Sequence, residues 1–132
     1  MAVVLTKLYG MERDFEAKLK ARGVKDTEDL ILLTRRNGDL QQLATELGID
    51  AEILRCLINR AHLARIRGIG EAYTQLLEAA GVKTVADLAA KSPDQLRSQF
   101  ERLNETRKLV GRVPALAMVN GWVNKAQKLP QP

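Results

Sequence analysis

One cysteine, one histidine and a 4% share of aromatic residues leave this chain of 132 residues poor in the side chains that most often carry metal, redox or stacking chemistry. A lone Cys56 cannot close an internal disulfide, so the expected setting is the reducing cytoplasm. With His62 and Cys56 as the only members of their kinds, a metal site built from clustered His and Cys is excluded. No strictly apolar run approaches the roughly 20 residues that span a bilayer. Lys7 and the charges from Glu12 onward interrupt the opening apolar stretch, so no secretory leader is expected either. The Gly-Lys-Ser/Thr ending of a phosphate-binding loop is missing, as is any strand before a glycine pair. The chain is therefore expected to be no enzyme, to take no cofactor or metal, and to have no small-molecule substrate and no membrane partner.

What is present is the composition of a folded protein. Apolar residues make up 45% and charged residues 28%, and at this length roughly two-thirds of the unfolded surface can be removed from water. With few aromatics, Leu, Ala, Val and Ile must build the core. The net charge is +5, a mild pointer to an anionic partner. Basic and acidic side chains balance up to residue 90, so the whole excess lies in the last third of the chain. Arg102, Arg107, Lys108 and Arg112 form its tightest group, joined by Lys125 and Lys128. They read either as a solvated helical face or as a contact surface for phosphates.

An offset of 58 residues superposes two segments of the chain. Gly10 falls on Gly68, Met11 on Ile69, Phe15 on Tyr73, Leu19 on Leu77, Gly23 on Gly81, and Asp29-Leu30 on Asp87-Leu88. Further on, Ile58-Asn59-Arg60-Ala61 matches Val123-Asn124-Lys125-Ala126 at an offset of 65. Two modules are expected, 1–64 and 65–129. Each reads as helices joined by tight turns. Leu76, Leu77, Ala79 and Ala80 continue a stripe from Ala72, with Gly81 as a left-handed terminator. Asp26 and Thr84 are placed as N-caps, and Ser92-Pro93-Asp94-Gln95 reads as a capping box. Asp50 opens a helix through Ile53, Leu54, Leu57, Ile58 and Ala61. Pro114 opens the last helix, in which Met118, Val119, Trp122, Val123 and Ala126 share a face. No stretch sustains strand alternation, so the fold class is all-α.

The run Arg67-Gly68-Ile69-Gly70-Glu71, followed by an apolar helix, Gly81-Val82 and a short capped helix, resembles the helix-hairpin-helix motif. The wider pattern, carried by Arg65–Ala89 and Gly111–Leu129, resembles a family known only as a domain of unknown function, number 4332, which pairs two such units. Leu76–Leu96 is also similar to part of the C-terminal domain of bacterial RNA polymerase alpha subunits, a relative that contacts DNA. The resemblance implies two tandem helix-hairpin-helix modules in one helical body. It also implies non-sequence-specific binding to the DNA backbone through intact hairpins.

The physics of such a hairpin is simple. Two glycines let the backbone approach a ligand, and free N–H groups at a helix start can bind a phosphate oxygen. Phosphate contacts position a protein without reading bases. The second hairpin keeps Gly68 and Gly70 around Ile69, with Arg65 and Arg67 on its approach. In the first, Glu12 replaces the second glycine and Asp14 follows, so that hairpin is expected to be structural. Glu71, directly after Gly70, either repels phosphate or simply stabilises the helix start. Tyr73 and Trp122 are expected to pack in the core. Cys56 reads as a small buried hydrophobe and His62 as a surface or boundary residue. Two functions stay open. One is nucleic-acid binding through Arg65, Arg67, Gly68, Ile69, Gly70, Arg102, Arg107, Lys108 and Arg112. The other is a protein-interaction module whose hairpins are architecture alone.

Overall fold

The computed structural model describes residues 2–130, and its regular structure there is entirely helical, as the periodicity predicts. After a single 3-10 turn at Leu5–Lys7 come α1 (Arg13–Lys20), α2 (Thr27–Asn37), α3 (Leu40–Leu47) and α4 (Ala51–Leu63). They are followed by α5 (Glu71–Ala79), α6 (Val85–Ala89), α7 (Pro93–Arg107) and α8 (Leu116–Lys128). The only extended pairing among the described residues is an isolated antiparallel bridge between Val4 and Asp26. No helix of the described residues is long and apolar enough to cross a membrane.

Packing divides the chain into two compact units, Met1–Arg65 and Ile66–Pro132. The division falls one residue later than the sequence-based boundary because Arg65 is held by Glu28 of α2, through bonds of 2.9 and 2.8 Å. In the first unit α2 and α3 both pack on α4, and Leu30, Leu43, Leu54 and Leu57 lose all contact with solvent. In the second, α6 and α7 pack on α8 and α5 packs on α7. Leu76, Leu77, Leu88, Phe100 and Val119 are among its fully buried residues.

Local chemistry explains where most helices begin. Asp26 accepts from the Asp29 N–H at 2.9 Å and Asp39 from the Gln42 N–H at 3.2 Å. Asp50 accepts from the Glu52 and Ile53 N–H groups at 2.9 and 3.2 Å. Thr84 and Asp87 complete a reciprocal capping box. Ser92 does not: Pro93 takes the first helical position of α7, but the serine side chain makes no capping bond. Proline at that position has no N–H to leave unsatisfied and its fixed φ suits the helix start, so α7 begins without the cap. The last helix begins at Leu116, two residues after Pro114, with Ala115 as an uncapped start.

Several side chains sit differently from their expected environments. Cys56 is exposed, because α4 turns its Leu54, Leu57, Ile58 and Ala61 inward and leaves Ile53 and Cys56 on the outer face. His62 goes the other way and is buried, with 6% exposure. It lies on the inward side of the last turn of α4, beside Ala61 and Leu63. Met118 and Ala72, expected on apolar faces, are exposed.

Candidate nucleic-acid interface

The second unit opens on a tight turn. The Ile69 N–H donates to the Ile66 carbonyl at 3.2 Å, and Gly68 takes φ +94°, a left-handed value that favours glycine. Ile69 is buried, with 6% exposure, and anchors the turn. Gly70 is the N-cap of α5 and offers no side chain to bond the first N–H groups of that helix. The Gly70 carbonyl does serve the fold, accepting from the Thr74 N–H at 2.9 Å and the Thr74 hydroxyl at 2.8 Å. A Cβ added at Gly70 would meet nothing within 4 Å. The start of α5 is therefore open, with its positive dipole end uncapped.

Gly68 is glycine for a second reason. Trp122 of α8 lies beneath it, with Nε1 3.2 Å from where a Cβ would stand. The indole is buried at 2% exposure and its ring meets Tyr73 at 5.3 Å between centroids. Core packing of Tyr73 and Trp122 follows the expectation, though Tyr73 is only half-buried. The indole N–H finds no hydrogen-bond partner, a state that costs about 1–3 kcal/mol for a buried donor.

The first unit fills the corresponding place with its own side chain. Gly10 has φ +82°, and a Cβ there would collide with the Arg60 guanidinium. That guanidinium donates to the Tyr9 carbonyl at 3.0 Å and stacks 4.5 Å from the centre of the Tyr9 ring. Arg60 stands 65 residues before Lys125, so the cation that seals the first turn is replaced in the second unit by an exposed lysine of α8. Glu12 is the N-cap of α1 and makes no capping bond. Asp14 pairs with Lys18 at 3.0 Å and Glu16 with Lys20 at 3.1 Å.

Of the basic residues singled out from the sequence, Arg65 is committed to another partner. Its guanidinium grips both carboxylate oxygens of Glu28. That hydrogen bond holds the Glu28 carboxyl below its ordinary range and raises the Arg65 pKa. Arg65 thus staples α2 to the end of α4 instead of standing at the second turn. Beside it, burial first and the Arg65 and Arg35 charges second lower the pKa of His62, against an opposing pull from Glu28. Arg67 is exposed immediately before Gly68.

The C-terminal cations fall into three places. Arg112 is exposed, and its carbonyl accepts from the Tyr73 hydroxyl at 3.4 Å, which ties its backbone to the first turn of α5. Arg102 lies by the other end of that helix, lining a shallow groove with Ala79, Ala80 and Leu103. Arg107 and Lys108 are exposed at the end of α7, where Lys108 adopts a left-handed φ of 49°. The following loop is braced by Asn104, which exchanges two 3.0 Å bonds with the backbone of Val110. The structure thus keeps Arg67, Gly68 and Gly70 at the turn before α5, ties the Arg112 backbone to the Tyr73 hydroxyl, and leaves Arg102 by the far end of the helix. Among the described residues no group of His, Cys, Asp or Glu is placed to hold a metal ion.

The family model described as a domain of unknown function, DUF4332, matches residues 9–129, nearly the whole chain. The chain belongs to that family. The helices that follow its two glycine turns, α1 and α5, both lie within the matched residues of this DUF4332 chain. No curated protein and no solved structure matches it.

Proposed function

We propose that this DUF4332 chain is a pair of helix-hairpin-helix-type modules, without enzymatic activity, that binds the phosphate backbone of nucleic acid through its second hairpin. The observation that carries the reading is the contrast between the two turns. At the start of α1 the N-cap is Glu12 with Asp14 in the first turn, and a resident guanidinium bonds the turn carbonyl, whereas Gly70 leaves the start of α5 uncapped and unobstructed. Phosphate oxygens would accept from first-turn N–H groups, with Arg67 and Arg112 adding charge. Duplex is the favoured form, because none of the five aromatic side chains is exposed to act as a stacking platform for unpaired bases. The single cysteine is in keeping with work in the cytoplasm.

Fluorescence anisotropy with labelled duplex and single-stranded DNA over a salt series tests this. Binding should fall with salt at a slope of about 0.9 per phosphate contact on duplex, and Arg67→Glu with Arg112→Glu should weaken all sequences alike. No binding at low salt ends the proposal and makes both turns architecture. A second reading, a protein-interaction module, draws on Leu116 and Met118 at the start of α8, 43% and 41% exposed. A stoichiometric protein partner captured after nuclease treatment, and lost on Leu116→Ser, would favour it.

A further inference from the structure

Among the described residues, Trp122 Nε1 is the one buried side-chain polar atom without a hydrogen-bond partner. Folded proteins leave few such groups, and a ligand position is one recognised explanation. The surroundings indicate what kind of ligand. Nε1 lies 3.2 Å from the position of a Cβ on Gly68, in the turn that leads directly into the uncapped start of α5. The groups of this turn are donors and positive ends: the indole N–H lies behind Gly68, and the exposed Arg67 and the first-turn N–H groups of α5 flank the same turn in the chain. Such a set accepts an oxyanion. In the first unit the residue 65 positions before Trp122 is Leu57, which has no donor, and there Arg60 already bonds the turn.

We propose that the indole N–H of Trp122 is a ligand donor, completing a phosphate-oxygen site with the Gly68–Gly70 turn and the start of α5. The proposal rests on the backbone-binding reading and names one more residue of that site. Nε1 is shielded from solvent, so the proposal includes a local opening of the turn at Gly68, whose left-handed φ of +94° carries no side chain, against the hold of the buried Ile69. Glu71, exposed beside the turn, is an opposing charge, and it limits affinity for free phosphate.

The chain has a single tryptophan, so its indole N–H resonance in a 15N-labelled sample reports this site without ambiguity. Titration with duplex DNA should move that resonance saturably, with the affinity measured by anisotropy. Inorganic phosphate should move it in the same direction, and chloride at equal ionic strength should not. Trp122→Phe should weaken duplex binding roughly tenfold, the scale of one hydrogen bond to a charged acceptor. If that variant fails to fold, the resonance titration on the unaltered chain decides. DNA binding by anisotropy with an unmoved indole resonance, or an equal response to chloride, overturns the Trp122 assignment and leaves the backbone reading standing. No binding at low salt overturns both.

Discussion

Trp122 and Gly68 are matched: the indole nitrogen occupies ground 3.2 Å from where any larger residue would place its Cβ. The turn and the last helix of the second unit are thereby coupled through one side chain. A change at the glycine is felt in the core, and a change in the core is felt at the turn.

Gly68→Ala should therefore destabilise the chain by about 1–3 kcal/mol, combining a left-handed alanine with a crowded indole. Gly70→Ala should cost under about 1 kcal/mol, the scale of a poorer N-cap, since its φ is −97° and its Cβ direction is open. Urea denaturation of the two variants checks the difference. Equal losses would mean that Trp122 does not constrain the turn.

Arg60→Ala should cost about 1–2 kcal/mol, because it removes the bond to the Tyr9 carbonyl and the stacking on the Tyr9 ring. Affinity for duplex DNA should stay within about twofold of the parent, since the carboxylates of Glu12 and Asp14 stand at the start of α1; the factor corresponds to a few tenths of a kcal/mol. A large loss of affinity would move the binding surface to the first unit.

Acidification should destabilise the first unit in two stages. The His62 pKa is lowered from 6.5, so below that value the unfolded chain takes up a proton that the folded chain resists, and stability falls as pH drops. The Glu28 pKa is lowered from 4.5, so its pairing with Arg65 contributes fully above that value and is lost as pH falls through the lower folded pKa. Denaturation midpoints measured from pH 7.5 to 4, conditions on the order of the ordinary His and Glu ranges, should decline first through the histidine range. In His62→Gln the first stage should vanish and the second remain. A parent midpoint that holds constant to pH 5, about the foot of the histidine range, would contradict the buried, neutral histidine.

Cys56 is exposed, so a thiol reagent should label the native chain at a rate that denaturant raises by less than about tenfold, with access and not unfolding as the control. Labelling only on unfolding would return Cys56 to the core. The helical content should be unchanged after modification.

Glu71→Gln should strengthen duplex binding two- to fivefold, roughly the effect of removing one carboxylate near a helix start and a phosphate. Anisotropy at low salt measures it. Weaker binding in this variant would show that Glu71 contributes to the interface through the fold of α5.

The helical fold was legible because its signals are local. Asp26, Asp50 and Thr84 announce helix starts by chemistry that needs only the next three residues, and Gly81 ends α5 with a φ of +84° as its place after an apolar stripe predicts. The candidate site was half legible. Gly68, Ile69, Gly70 and Arg67 stand together in sequence, so the turn could be read directly, whereas Arg65 next to them belongs to Glu28, thirty-seven residues earlier. Nothing adjacent in sequence announces that pairing. The burial of His62 and exposure of Cys56 were misjudged because α4 is apolar on more than one side, and only its neighbours α2 and α3 decide which side is covered.

The sequence by itself determined the helices, their caps and the tight turn at Gly68, since those depend on dihedral preferences and hydrogen bonds within a few residues. The tertiary structure alone decided what lies under each turn: Arg60 beneath Gly10 and Trp122 beneath Gly68. Each of those contacts joins positions at least fifty residues apart. The packing of α4 within the first unit and of α8 within the second creates them, and with them the difference between a turn bonded by a guanidinium and one backed by an unpartnered indole.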